Sequence, residues 1–253
     1  MGFYSSDSSD TKVKNFGSIG LDLSAVMRQV YLWMAVGLVV CFGIAYALGQ
    51  IAQQELTQYA LTGHTNFFLF NPAFSIVTLI IYFILAFAVQ PVIMRQSIAV
   101  GAAVYVLFTA VFGVMISGIF IAYEQTAINT AFIATAAMFG AMSIYGYTTK
   151  ADLSRLGTIL TMAIIGLIVA SIVNWFANSS AIYYLISYAG VVIFCGFVAY
   201  DTQWIKNTAN QVAMSGDPSA AQRVALIGAF HLFYDFVQLF LFILRILGSG
   251  SRR

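Results

Sequence analysis

The sequence predicts an all-α membrane protein, a bundle of seven transmembrane helices. Three observations predict it. Of the 253 residues 61% are hydrophobic and only 8% are charged, against roughly 25% charged in an ordinary globular domain. Seven separate apolar stretches each reach the roughly 20 residues that a helix needs to cross a hydrocarbon core. Lysine and arginine collect in alternate connections between those stretches. A net charge of +2, without a basic run, gives no reason to expect nucleic acid as a partner.

The elements follow in order. Residues 1–24 form a polar tail, MGFYSSDSSD at its start, with a composition that predicts disorder up to about Ile19. No apolar signal core precedes the first span, so that span is expected to stay in the membrane. The membrane domain covers 25–248, with spans at about 28–49, 72–92, 98–121, 127–147, 156–177, 181–203 and 224–247; a short polar tail, 249–253, follows. Asn71-Pro72 and Asp217-Pro218 are helix-start signals, a capping side chain followed by proline at the first helical position. The fourth span carries Ala131, Ala134, Ala136, Ala137, Gly140, Ala141 and Gly146, small residues that suit close helix contact. Cys41 and Cys195 lie mid-way along apolar segments and read as small buried hydrophobes.

Lys12, Lys14, Arg28, Arg95, Lys150, Arg155, Lys206 and Arg223 fall on one side of this topology. The connections at about 50–71, 122–126 and 178–180 hold no lysine or arginine. That bias predicts a cytoplasmic N-terminus. Seven complete spans leave Arg245, Arg252 and Arg253 on the opposite side. The segment from Val224 to Leu247 is about 36 Å long as a helix, too short to enter and return, so it is expected to cross.

The informative residues are charges inside apolar segments, where an ionisable group costs about 3 kcal/mol on insertion scales. Asp235 sits near the middle of the last segment. Asp201 lies five residues before Lys206, nearer the cytoplasmic end. Counted along their spans, the two differ by roughly 8–10 Å in height, so spacing alone leaves open whether they meet. Alone, Asp201 also reads as a wet interfacial residue and Asp235 as a structural carboxylate. If they meet, two carboxylates in one low-dielectric site cannot both ionise, and they hold one proton in common. Deprotonated, they offer a hard cation such as Ca²⁺ a weak, transient oxygen site. Arg95, just after the second span and following Pro91, is the natural counter-charge or a topology-setting loop cation. His231, four residues before Asp235, lies on the same helix face and can tune it, or can be a packed neutral histidine. Glu124 reads as a loop acid and Asn174 as an inter-helix hydrogen-bonding group. No cofactor is implied, and no enzyme is expected: HExxH, GxSxG and phosphate-loop patterns are absent. The YD pairs at Tyr200-Asp201 and Tyr234-Asp235 only half meet the pattern of an intramembrane aspartyl protease.

Four blocks in order, MRQVYLWMAVGLVV from Met27, MRQSIAVG around Arg95, FVAYDTQWIK around Asp201 and FYDFVQLFLFILRILG around Asp235, resemble the Bax inhibitor (transmembrane Bax inhibitor motif) family in its bacterial branch. The resemblance runs from about residue 25 to 248. It implies a seven-helix bundle with the last helix central, enclosed by the other six, in a bacterial inner (plasma) membrane. It also implies a pH-sensitive calcium leak, with Asp201 and Asp235 matching the family's di-aspartyl pH sensor and Arg95 its basic partner. Ca²⁺ and protons are the implied partners. For some bacterial members a second role is implied, as modulators of a membrane-bound ATP-dependent protease.

Overall fold

The apolar runs hold few helix breakers, and each becomes helix over most of its length. The computed structural model describes residues 23–62, 69 and 71–248, and the described residues contain helices but no strand. The helices are α1 (Leu23–Thr62), α2 (Pro72–Arg95), α3 (Ile98–Ile116), α4 (Ile119–Ala122), α5 (Gln125–Thr148), α6 (Ser154–Ala177), α7 (Ser180–Ser215) and α8 (Pro218–Gly248). Seven helical stretches are long and apolar enough to cross a membrane, α3 and α4 together making one of them. α1 takes in Leu23 and Ser24, the last two residues of the expected N-terminal tail; residues 1–22 and 249–253, with Lys12, Lys14, Arg252 and Arg253, and His64 in the first connection, lie outside the described residues.

Both predicted start signals are used. The Asn71 side chain accepts from the Ala73 amide at 2.9 Å. Asp217 accepts from the amide and hydroxyl of Ser219, both at 2.8 Å. The Ser219 bonds hold the exposed Asp217 carboxyl below its ordinary range. A depressed carboxylate contributes stability above its unfolded pKa, and that stability is lost as pH falls through the folded one. Asp217→Ala is therefore expected to lower Tm at neutral pH and to match the wild type in strong acid, a comparison thermal unfolding at both pH values makes.

Three helices outrun the predicted spans. α1 continues to Thr62 because GQIAQQELTQYALT contains good helix formers and no breaker after Gly49. α7 runs to Ser215 and stops at Gly216, whose φ of 68° is left-handed. α8 starts at Pro218, six residues before its apolar run, and continues unbroken to Gly248. The last segment therefore does not turn back. The third span is interrupted where the Ser117 hydroxyl donates to the Val114 carbonyl at 2.7 Å, competing with the backbone ladder.

The spans alternate in direction. We call the end where α1 begins the near face and the opposite end the far face. Side-chain bonds tie the helices at matching levels: Arg223 donates to the Ile93 carbonyl near the near face, and Gln53 to the Phe120 carbonyl, at 2.6 Å, near the far one. α8 is the central helix. Of its apolar window 72% is buried, against 11% for α6. Phe233 of α8 packs edge-on against Tyr105, Phe108 and Phe112 of α3, and Phe236 against Phe132 and Phe139 of α5. The enclosure is incomplete. α7, α1, α5, α3 and α2 pack on α8, whereas α6 packs on α7 and makes no comparable contact with α8.

Candidate functional site

The α7–α8 turn sets the level of the site. Asp201 stands fifteen residues before Gly216 and His231 fourteen after Asp217, so both lie ~22 Å from the turn along antiparallel helices. Asp235 is one helical turn further on, at ~27 Å. Measured from the turn, the offset between the aspartates shrinks to about one turn along two helices packed on each other. Both are buried, Asp201 at 7% exposure and Asp235 at 3%. Oδ2 of Asp235 has no hydrogen-bond partner among the described residues, an uncommon state for a buried polar atom.

His231 corrects the sequence reading. Its contact is with Asp201, Nδ1 to Oδ2 at 3.4 Å, and not with Asp235 on its own helix. The reason is the shared level: the ring reaches across to α7, where it stacks on Trp204 with centroids 5.3 Å apart. Its Nε2 is 3.1 Å from the amide nitrogen of Gln90 on α2. One histidine on the central helix thus joins α2 to Asp201.

Arg95 is the last residue of α2, exposed, and forms no ion pair with either aspartate. The cation that joins α2 to α8 is Arg223, through the Ile93 carbonyl. Beginning at Thr202, the residue after Asp201, the hydroxyls of Thr202, Ser143 and Tyr31 are hydrogen-bonded in series, Ser143 to Thr202 at 3.2 Å, linking α7, α5 and α1. Just below, Gln203 accepts from the Leu153 amide and donates to the Ala151 carbonyl, each at 2.8 Å. Lys206 donates to the Tyr147 carbonyl at 2.7 Å. α7 thereby clamps the α5–α6 connection directly under the aspartates. Glu124 is the residue before α5, and Asn174 caps the end of α6, its side chain accepting from the Ser179 amide at 3.1 Å.

Sequence reasoning missed Gln90, Trp204, Arg223 and the Tyr31–Ser143–Thr202 series. Gln90 carried a signal, as the one amide side chain within α2. Thr202 and Gln203 carried another, since they directly follow Asp201.

A family model described as "Inhibitor of apoptosis-promoting Bax1" matches residues 23–252, from the start of α1 past the end of α8. The chain belongs to the Bax inhibitor family. Within this family, the chain is 40% identical to the Inner membrane protein YbhL of Escherichia coli over 229 residues, 90% of this chain and 92% of that protein. It is 36% identical to an uncharacterized protein of Deinococcus radiodurans, covering 87% and 88% of the two chains. With one from Borreliella burgdorferi the identity is 35%, over 88% and 91%. The Asp201–Asp235 pair and the Gln90–His231 link thus lie inside a Bax inhibitor bundle matched over nearly its whole length.

Proposed function

We propose that this Bax inhibitor protein is a non-enzymatic, pH-sensitive leak for Ca²⁺ or a similar hard cation, gated by the Asp201–Asp235 pair. The reading is supported by two buried aspartates on the central helix and its neighbour, with Oδ2 of Asp235 unpartnered among the described residues. Two such groups retain one proton between them and hold α7 and α8 together. Loss of that proton sets two carboxylates against each other, and the helices part. The freed oxygens then give a passing cation a weak stop. Among the described residues no group of three or more carboxylate, histidine or cysteine side chains is placed to hold a metal ion, which suits passage better than storage. Among the described residues, His231 of α8 lies against Asp201 and Tyr234 stands beside Asp235.

The basic residues of the connections gather at the near face, and on that ground we place the N-terminus in the cytoplasm. YbhL is named an inner membrane protein, and we assign this chain to the same membrane. The test is calcium flux into proteoliposomes between about pH 5 and pH 8 for the wild type, Asp201→Asn and Asp235→Asn. Flux that rises with pH in the wild type alone is expected; the same response in all three would overturn the reading.

His231 supplies a second expectation. Through Gln90 it holds α2 against the pair, in a bond worth about 1 kcal/mol. Gln90→Leu is expected to raise resting flux at acid pH about fivefold, the Boltzmann factor for that energy. His231→Ala should do at least as much. Flux unchanged in both would remove the link from the mechanism.

A further inference from the structure

Because α6 leans on α7 and stands off α8, a cleft of about 470 Å³ opens between them in the far half of the bundle. Ile168, Ser171 and Trp175 of α6 form one wall, and Gln238, Phe242 and Arg245 of α8 the other. The walls are mostly apolar and the mouth faces hydrocarbon. Only a molecule already in the bilayer can enter from there. Arg245 stands at the far end, its guanidinium 5.3 Å from the Phe242 ring centroid, with no carboxylate partner among the described residues. The other described basic residues, Arg28, Arg95, Lys150, Arg155, Lys206 and Arg223, all lie toward the near face, so the near-face charge pattern does not account for Arg245. Trp175, 78% exposed, marks the far rim, the level at which interfacial tryptophans meet lipid headgroups.

We propose that this cleft is a binding site for an anionic phospholipid, its acyl chain between α6 and α8 and its phosphate on Arg245. The apolar walls fit the chain, and Gln238 and Ser171 offer polar contacts part-way along. A guanidinium fits a phosphate with two parallel hydrogen bonds. Tyr234, the neighbour of Asp235, lines the inner end of the cleft, but the lipid proposal rests on Arg245 and the cleft walls and does not depend on the leak reading.

The test titrates the full chain, purified in detergent, with phosphatidylglycerol and with phosphatidylcholine of the same acyl chains, bound lipid being counted by native mass spectrometry. The wild type should prefer phosphatidylglycerol about tenfold, because both lipids present a phosphate to Arg245 but the choline cation of phosphatidylcholine offsets its charge there. Arg245→Gln should abolish the preference and Arg245→Lys keep most of it. Ile168→Trp, which fills the cleft, should weaken both lipids. Arg28→Gln, at the near face, should change nothing. Equal binding of the two lipids by the wild type would overturn the proposal, as would a preference that survives Arg245→Gln or is lost in Arg28→Gln.

Discussion

In Asp235→Asn, calcium flux is expected to stay at its acid-pH level across the whole range, and the Asp201→Asn/Asp235→Asn double variant to do no more. The amide is neutral at every pH and stands in for the protonated carboxyl, so no repulsion between α7 and α8 can develop. Two unit charges about 4 Å apart repel by about 4 kcal/mol at an effective dielectric of 20. Each 1.4 kcal/mol is a factor of about ten, so the alkaline flux should fall by tenfold or more. The double variant is the sharper measurement. Groups that titrate as a pair give non-additive single effects, whereas two independent carboxylates would give effects that add. Additive losses would leave Asp201 and Asp235 as separate structural residues.

The second large effect is structural. A Cβ at Gly146 of α5 would press on the Ala199 carbonyl oxygen and on the Ala199 backbone around it, two residues before Asp201. Backbone cannot turn aside as a side-chain tip can, so Gly146→Val must push α5 away from α7. Overpacking of this kind costs about 1–3 kcal/mol, and the displacement falls on the helix that carries Asp201. We expect a marked drop in Tm of the detergent-solubilised protein together with an altered pH profile of flux. Gly140→Val and Gly166→Val are the controls, because a Cβ at either meets nothing within 4 Å. Their Tm should stay near that of the wild type, and equal losses at all three positions would show the cost to be general to glycine replacement.

The seven spans were legible because the hydropathy of each run is decisive without any partner. Their ends were not, because helices continue past the membrane on propensity alone: α1 runs through the Gln- and Ala-rich stretch to Thr62, and α7 to the left-handed stop at Gly216. That error carried into the site. Heights counted from span limits separated Asp201 from Asp235, whereas heights counted from the Gly216–Asp217 turn bring them together. The partner of His231 was hidden for a related reason. Spacing of four names a neighbour on the same helix, while Asp201 is a neighbour only through the packing of α7 on α8. In a soluble helix, apolar periodicity marks the packed face. Here lipid and protein interior are both apolar, so Gln90 stood out as the one amide in α2 while the apolar pattern around it did not show that it turns toward α8. The standing-off of α6 was equally hidden, since leucine and isoleucine suit lipid and protein alike.

The central position of α8 bears on how the protein is made. The helix that fills the middle of the bundle is the last of the seven to be synthesised, and its contacts with α1 join positions some two hundred residues apart. Until it leaves the ribosome, the earlier spans lack Phe233 and Phe236, the α8 rings against which Tyr105, Phe108 and Phe139 pack. Assembly is therefore a closing step late in biogenesis. A chain arrested before Pro218 would leave those aromatic faces uncovered to whatever holds nascent membrane helices in the cell.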